Sequence, residues 1–123
     1  MTDQVKSLTA DQILQSQDMQ CTLVPVPEWG GQVYVGMMTG EERDEWEQMC
    51  AGTRGKDKKS NIKNLRAHLA VFTVQDETGA KLFNLTQVQA LGKKSCAALD
   101  RIFDAAAKLN RLRPEDVEEL VKN

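Results

Sequence analysis

The chain has 123 residues, enough for one domain of ordinary size with a real hydrophobic core. A hydrophobic content of 41% and a charged content of 28% exclude global disorder, and a formal net charge of -2 argues against a general binder of nucleic acid or acidic membrane. No apolar run approaches the ~20 residues of a bilayer span, the N-terminus lacks the apolar core of a signal peptide, and Cys21, Cys50 and Cys96 form neither a disulfide framework nor a CxxC pair, the usage of a reducing, cytosolic protein.

In chain order, residues 1–20 are polar and read as an N-terminal arm with one short helix. The capping box Thr9-Ala-Asp-Gln12 opens that helix; Ile13 and Leu14 are its apolar anchors, with Leu8 just before the cap. Residues 21–123 read as a single α+β domain. Two β-rich runs, 22–26 and 32–37, flank Pro27, Glu28, Trp29, Gly30 and Gly31, and a Gly-Gly pair between β-branched runs predicts a hairpin. Thr39-Gly-Glu-Glu42 is a second capping box and predicts a helix over 39–51, with an apolar stripe of Trp46, Met49 and Cys50 and with Gly52 as its end. Residues 53–61 contain no strong apolar side chain and read as a loop. Ser60 or Asn61 is then expected to cap a helix whose buried face is Ile62, Leu65, Leu69 and Phe72. Residues 73–83, with a turn at Asp76-Glu-Thr-Gly79, fit either a small hairpin or a helix-ending loop.

Thr86-Gln-Val-Gln89 predicts a third capping box and a short helix closed by Gly92. Ser95 opens the clearest helix of the chain. Leu99, Ile102, Phe103, Ala106 and Leu109 share one face, and Asp100, Arg101, Asp104, Lys108 and Arg111 share the other, which makes this the expected core helix. Pro114 suits the first turn of a final short helix. The fold class is therefore a small α+β domain, one or two β-hairpins packed against three main helices.

Reactive motifs are absent from this pattern. Gly52-Thr-Arg-Gly55-Lys56 fails as a phosphate loop, because only two residues separate the glycines and Asp57 stands where a Ser or Thr would bind magnesium. His68, Cys96 and Asp100 would be needed for a cysteine hydrolase, and no local signature supports that arrangement. One histidine and scattered cysteines also argue against zinc, and no cofactor is implied. Candidate partner-binding residues remain. Trp29 sits on a turn, poorly placed for core packing unless it folds back over the sheet. Met37 and Met38, at the end of the second strand, offer adaptable apolar surface. Arg54, Lys56, Lys58, Lys59, Lys63 and Arg66 form the one strong charge bias, which reads either as a solvated loop and helix face or as a dock for an acidic partner or phosphate backbone. A small nucleic-acid-binding regulator using residues 54–66 is the alternative reading, and the net charge weighs against it.

Longer strings of the chain are more specific. Val24-Pro-Val-Pro-Glu-Trp-Gly-Gly-Gln-Val-Tyr-Val is followed by Met38-Thr-Gly-Glu-Glu-Arg-Asp and Asn64-Leu-Arg-Ala. Val71-Phe-Thr-Val-Gln-Asp-Glu-Thr-Gly, Leu82-Phe, Leu91-Gly-Lys-Lys-Ser and Ala98-Leu-Asp-Arg-Ile-Phe-Asp-Ala-Ala come next. In order and spacing, across most of residues 12–112, these strings resemble the tail assembly chaperone family of long-tailed bacteriophages and prophages. The resemblance implies a non-enzymatic role in the host bacterial cytoplasm. Such a protein binds the tape measure protein transiently, keeps it soluble, helps recruit tail tube protein and is absent from the mature virion. It also implies a longer, frameshifted form of the same chain, and a homo-oligomer is expected along a long client. The resemblance carries no catalytic motif, and the candidate contacts named above rest on this sequence alone.

Overall fold

The hairpin predicted around Trp29 organises the fold. The computed structural model describes residues 6–56 and 64–112, with side chains placed for 6–49 and 64–112. In it, β1 (Cys21–Val26) pairs antiparallel with β2 (Gly31–Gly36), so that Val24 faces Val33 and Leu23 faces Tyr34. A 3-10 turn, Pro27–Trp29, joins them and ends at Gly30, whose φ of 75° suits a residue without Cβ. Side chains alternate as a strand requires: Val24, Val26 and Val35 are buried, while Leu23 and Pro25 face outward. The Met37 N–H donates to the Gln20 carbonyl at 3.0 Å. Counted from that bond, Thr22, Val24 and Val26 occupy hydrogen-bonded pairs and Pro25 a non-hydrogen-bonded one. The missing N–H of Pro25 therefore lies on the open edge of β1.

β3 (Val74–Gln75) adds to β2, giving the order β1-β2-β3. The open question over residues 73–83 resolves as a small hairpin. Gln75 bridges Lys81, the Asp76 N–H donates to the Ala80 carbonyl at 2.8 Å, and the Leu82 N–H donates to the Val74 carbonyl at 3.2 Å. Gly79 turns the chain with a φ of 94°. The Asp76 carboxylate accepts from the Thr78 hydroxyl and from the Thr78 and Ala80 N–H groups, which holds its pKa below the ordinary value.

Five helices complete the described residues. α1 (Ala10–Gln15) opens on the predicted Thr9–Gln12 box and buries none of its residues. α2 (Gly40–Lys56) opens on the Thr39–Glu42 box, with bonds of 3.0 and 2.9 Å, and buries Trp46 completely. It runs through Gly52, where the sequence pattern places its end. A glycine inside a helix costs only about 1 kcal/mol against alanine, too little to stop a capped, acid-started helix. α3 (Leu65–Thr73) starts behind Asn64, whose φ of 63° breaks any helical run there. This start lies downstream of Ser60 and Asn61, because asparagine tolerates the left-handed region. α3 buries Ala67, Leu69, Ala70, Val71, Phe72 and Thr73, and the Thr73 hydroxyl is satisfied by the Leu69 carbonyl.

α4 (Val88–Leu91) follows a 3-10 turn, Leu85–Gln87. The box that opens this pair is Asn84 with Gln87, two residues upstream of the predicted Thr86 and Gln89, since asparagine is at least as good a cap as threonine. α5 (Cys96–Leu109) begins at Ser95, whose hydroxyl accepts the Ala98 N–H at 3.1 Å. It lies across β1 and β2 and packs on α3, burying Leu99, Ile102 and Ala106 of the predicted face together with Ala98, while Phe103 and Leu109 of that face are half-buried. At its end the Asn110 side chain accepts the Met38 N–H at 2.6 Å and donates to the Ala106 and Gly36 carbonyls, tying α5 to the end of the hairpin. The α+β class and the three main helices, α2, α3 and α5, agree with the sequence pattern. Of the loop expected over 53–61, residues 53–56 instead belong to α2, while 57–61, Ile62 and the helix after Pro114 lie outside the described residues.

Candidate functional site

The Pro27–Trp29 turn is held from beneath by an ion pair. Arg101, on the outer face of α5, donates from Nε and Nη2 to the two carboxylate oxygens of Glu28, at 2.8 and 3.1 Å. That fork keeps the Glu28 carboxyl below its ordinary pKa and ties the turn that carries Trp29 to α5. Trp29 neither enters the core nor stands free in solvent; 37% of it is exposed. It forms one wall of an open, mostly apolar groove of about 290 Å³, with Phe83, Ala90 and Leu91 as the other apolar walls and Gln87 and Lys94 at the rim. Leu82 and Leu85 are exposed apolar residues on the same stretch of chain. Such a concavity can seat two or three side chains of an apolar helix face, and Lys94 adds a positive charge at its lip.

The other candidate residues lie elsewhere. Met37 is half-buried at the opposite end of β2, where its Sδ accepts the Gln20 N–H at 3.2 Å. It lines a more polar hollow with Met19, Cys21, Gln75 and Thr78. Met38 packs into the core at 8% exposure and offers no usable surface, because its backbone is fastened to Asn110. The length of β2 therefore separates Trp29 from Met37. Of the basic cluster, Arg66 is described, and its Nε donates to Asp100 at 2.5 Å across α3 and α5. That pairing lowers the Asp100 pKa and raises that of Arg66. Lys58, Lys59 and Lys63 lie outside the described residues, as do the side chains of Arg54 and Lys56. His68 Nδ1 sits 3.0 Å from the Asn64 carbonyl, whereas the Cys96 thiol faces Asp100 at 3.5 Å, so no hydrogen bond links the histidine to the cysteine.

Nothing in the sequence pattern marks Phe83, Ala90, Leu91 and Lys94 as neighbours of Trp29. The available signal is indirect. Leu82-Phe83 is an apolar pair in a short segment with no amphipathic helix to bury it, a hint of side chains that face a surface concavity. No helix among the described residues is long and apolar enough to cross a membrane.

A family model described as phage tail assembly chaperone matches residues 9–123. Comparison with curated proteins gives no match. Among solved structures, the bacteriophage HK97 tail assembly chaperone is similar to this chain in fold, with a TM-score of 0.58. That likeness spans 84% of this chain and 94% of the other at 18% identity, so it bears on fold alone.

Proposed function

The chain belongs to the phage tail assembly chaperone family, and from that membership we propose that it escorts the tape measure protein. It binds that client transiently, keeps it soluble, helps bring tail tube subunits to it, and departs before the virion matures. This work takes place in the host cytoplasm, with several copies along one client and with a longer, frameshifted form of the same chain as a partner. It requires adhesive surface and no chemical step. The observation that carries the reading is the Trp29 groove: a mostly apolar concavity with one lysine at its lip, the shape and chemistry that accept an amphipathic helix. Contacts at a single groove of this size are weak, and repetition along a long helix compensates for that weakness.

Co-expression with a tape measure fragment tests the proposal. The soluble fraction of the fragment should rise with the wild-type chain and fall back with Trp29→Ala. Equal aggregation with and without the wild-type chain rejects the escort role. Full rescue by Trp29→Ala rejects the groove as the client site.

A further inference from the structure

The N-terminal arm displays apolar surface that its own copy leaves uncovered. Leu8 and Ile13 are more than half exposed, and Leu14 is 81% exposed. The segment is nonetheless shaped. The Thr9–Gln12 box opens α1 and places Leu8 and Ile13 at the two positions of a hydrophobic staple. A helix of six residues is far shorter than the ~12–15 that hold in water unaided. An arm that is both preshaped and apolar calls for a seat on another surface.

We propose that residues 8–14 of one copy dock in the Trp29 groove of a second copy, covering it until a client helix displaces them. The last clause rests on the groove being the client site, as proposed above. Three observations favour this occupant. Ala10, Ile13 and Leu14 share one face of α1 at helical spacing, matching apolar walls formed by Trp29, Phe83, Ala90 and Leu91. Charge is complementary as well. Among the described residues, ion pairs join Arg43 to Glu47, Arg66 to Asp100, Lys81 to Glu42 and Arg101 to Glu28, and neither Asp11 on the arm nor Lys94 in the groove takes part in one. The arm's own copy leaves the groove open. Gln20 is pinned to Met37 at the Cys21 end of the hairpin, while Trp29 lies at the other end. Residues 6–20 are exposed throughout, and none of them lines the groove. A neighbouring copy therefore supplies the seat.

Sedimentation velocity on the full-length chain, over a concentration series, tests this. The wild type should form larger species as concentration rises. Leu14→Asp on the arm, or Ala90→Glu in the groove, should weaken that association by roughly tenfold or more. Both positions are exposed, and circular dichroism checks that each variant keeps its fold. Mixing the two folded variants should yield species of two copies, because one supplies an intact groove and the other an intact arm. A wild type that stays monomeric, variants that associate like the wild type, or a mixture that behaves as two separate proteins would each overturn the inference. Client solubility reads the other proposal independently. A soluble client beside unchanged variant association removes the arm contact and leaves the escort role; an aggregated client beside arm-dependent association does the reverse.

Discussion

Replacing Asn110 with alanine removes a bracket rather than a packing element, and its cost can be worked from the structure. Three bonds are lost: from the Met38 N–H at 2.6 Å, and to the Ala106 and Gly36 carbonyls at 2.9 and 3.4 Å. The Ala106 carbonyl keeps the Asn110 backbone N–H, also at 2.9 Å, and the contact with Gly36 is long, so those two losses are small. The Met38 amide is different. It belongs to a residue only 8% exposed and would be left without an acceptor, a situation that costs about 1–3 kcal/mol. In a domain of this size that lowers the melting temperature by roughly 5–10 °C. Asn110→Asp keeps the acceptor for Met38 but turns a carboxylate oxygen toward two carbonyls, so its loss should be smaller than that of alanine and should shrink as acid protonates the new side chain. Urea denaturation with thermal melts measures both variants. A stability of Asn110→Ala within about 0.5 kcal/mol of wild type would refute the bracket, since that is the range of ordinary surface substitutions.

Ile102→Ala empties a position 1% exposed at the centre of α5 and should cost about 2–5 kcal/mol in urea denaturation; a loss under about 1 kcal/mol would mean that α5 is not the core helix. Gly79→Ala forces a Cβ onto a φ of 94° and should destabilise by about 1 kcal/mol, whereas Gly40→Ala, with open space around it and an ordinary backbone, should be neutral or slightly stabilising. Thermal melts of the two glycine variants should therefore move apart, and equal shifts would remove the backbone explanation. Glu28, Asp76 and Asp100 have lowered pKa values, caused chiefly by Arg101, Thr78 and Arg66 respectively. A lowered carboxyl stabilises above its unfolded-state pKa and loses that contribution as pH falls through the folded one. Their joint contribution should hold from neutral pH down to about 5 and be lost below about 4. Carboxyl-resolved NMR titration reads each midpoint, and an ordinary value for Glu28 would show that the Arg101 fork does not persist in solution.

How much of this was legible from residues alone depended on the range of the interactions involved. The Thr9 and Thr39 boxes, the Gly30 turn and the face of α5 are set by neighbours within four residues, so spacing alone reveals them. The end of α2 was not legible, because Gly52 raises a local cost that the rest of a long helix can absorb. At the next cap two equivalent boxes compete two residues apart, and Asn84 prevails over Thr86. The candidate site was legible in one residue: an aromatic on a tight turn singled out Trp29. Its groove was hidden because Phe83 and Leu91 reach it through tertiary packing, more than fifty residues along the chain. Met38 illustrates the opposite failure. A methionine next to a strand end looks available, and a distant asparagine decides that it is buried.

Pro25 has a consequence for how copies of this protein can meet. With an imide ring where a donor would otherwise project from the outermost strand, another molecule cannot zip a continuous ladder onto that border. Edge-to-edge association of copies through β1 is interrupted at this position, which disfavours fusion into one extended sheet.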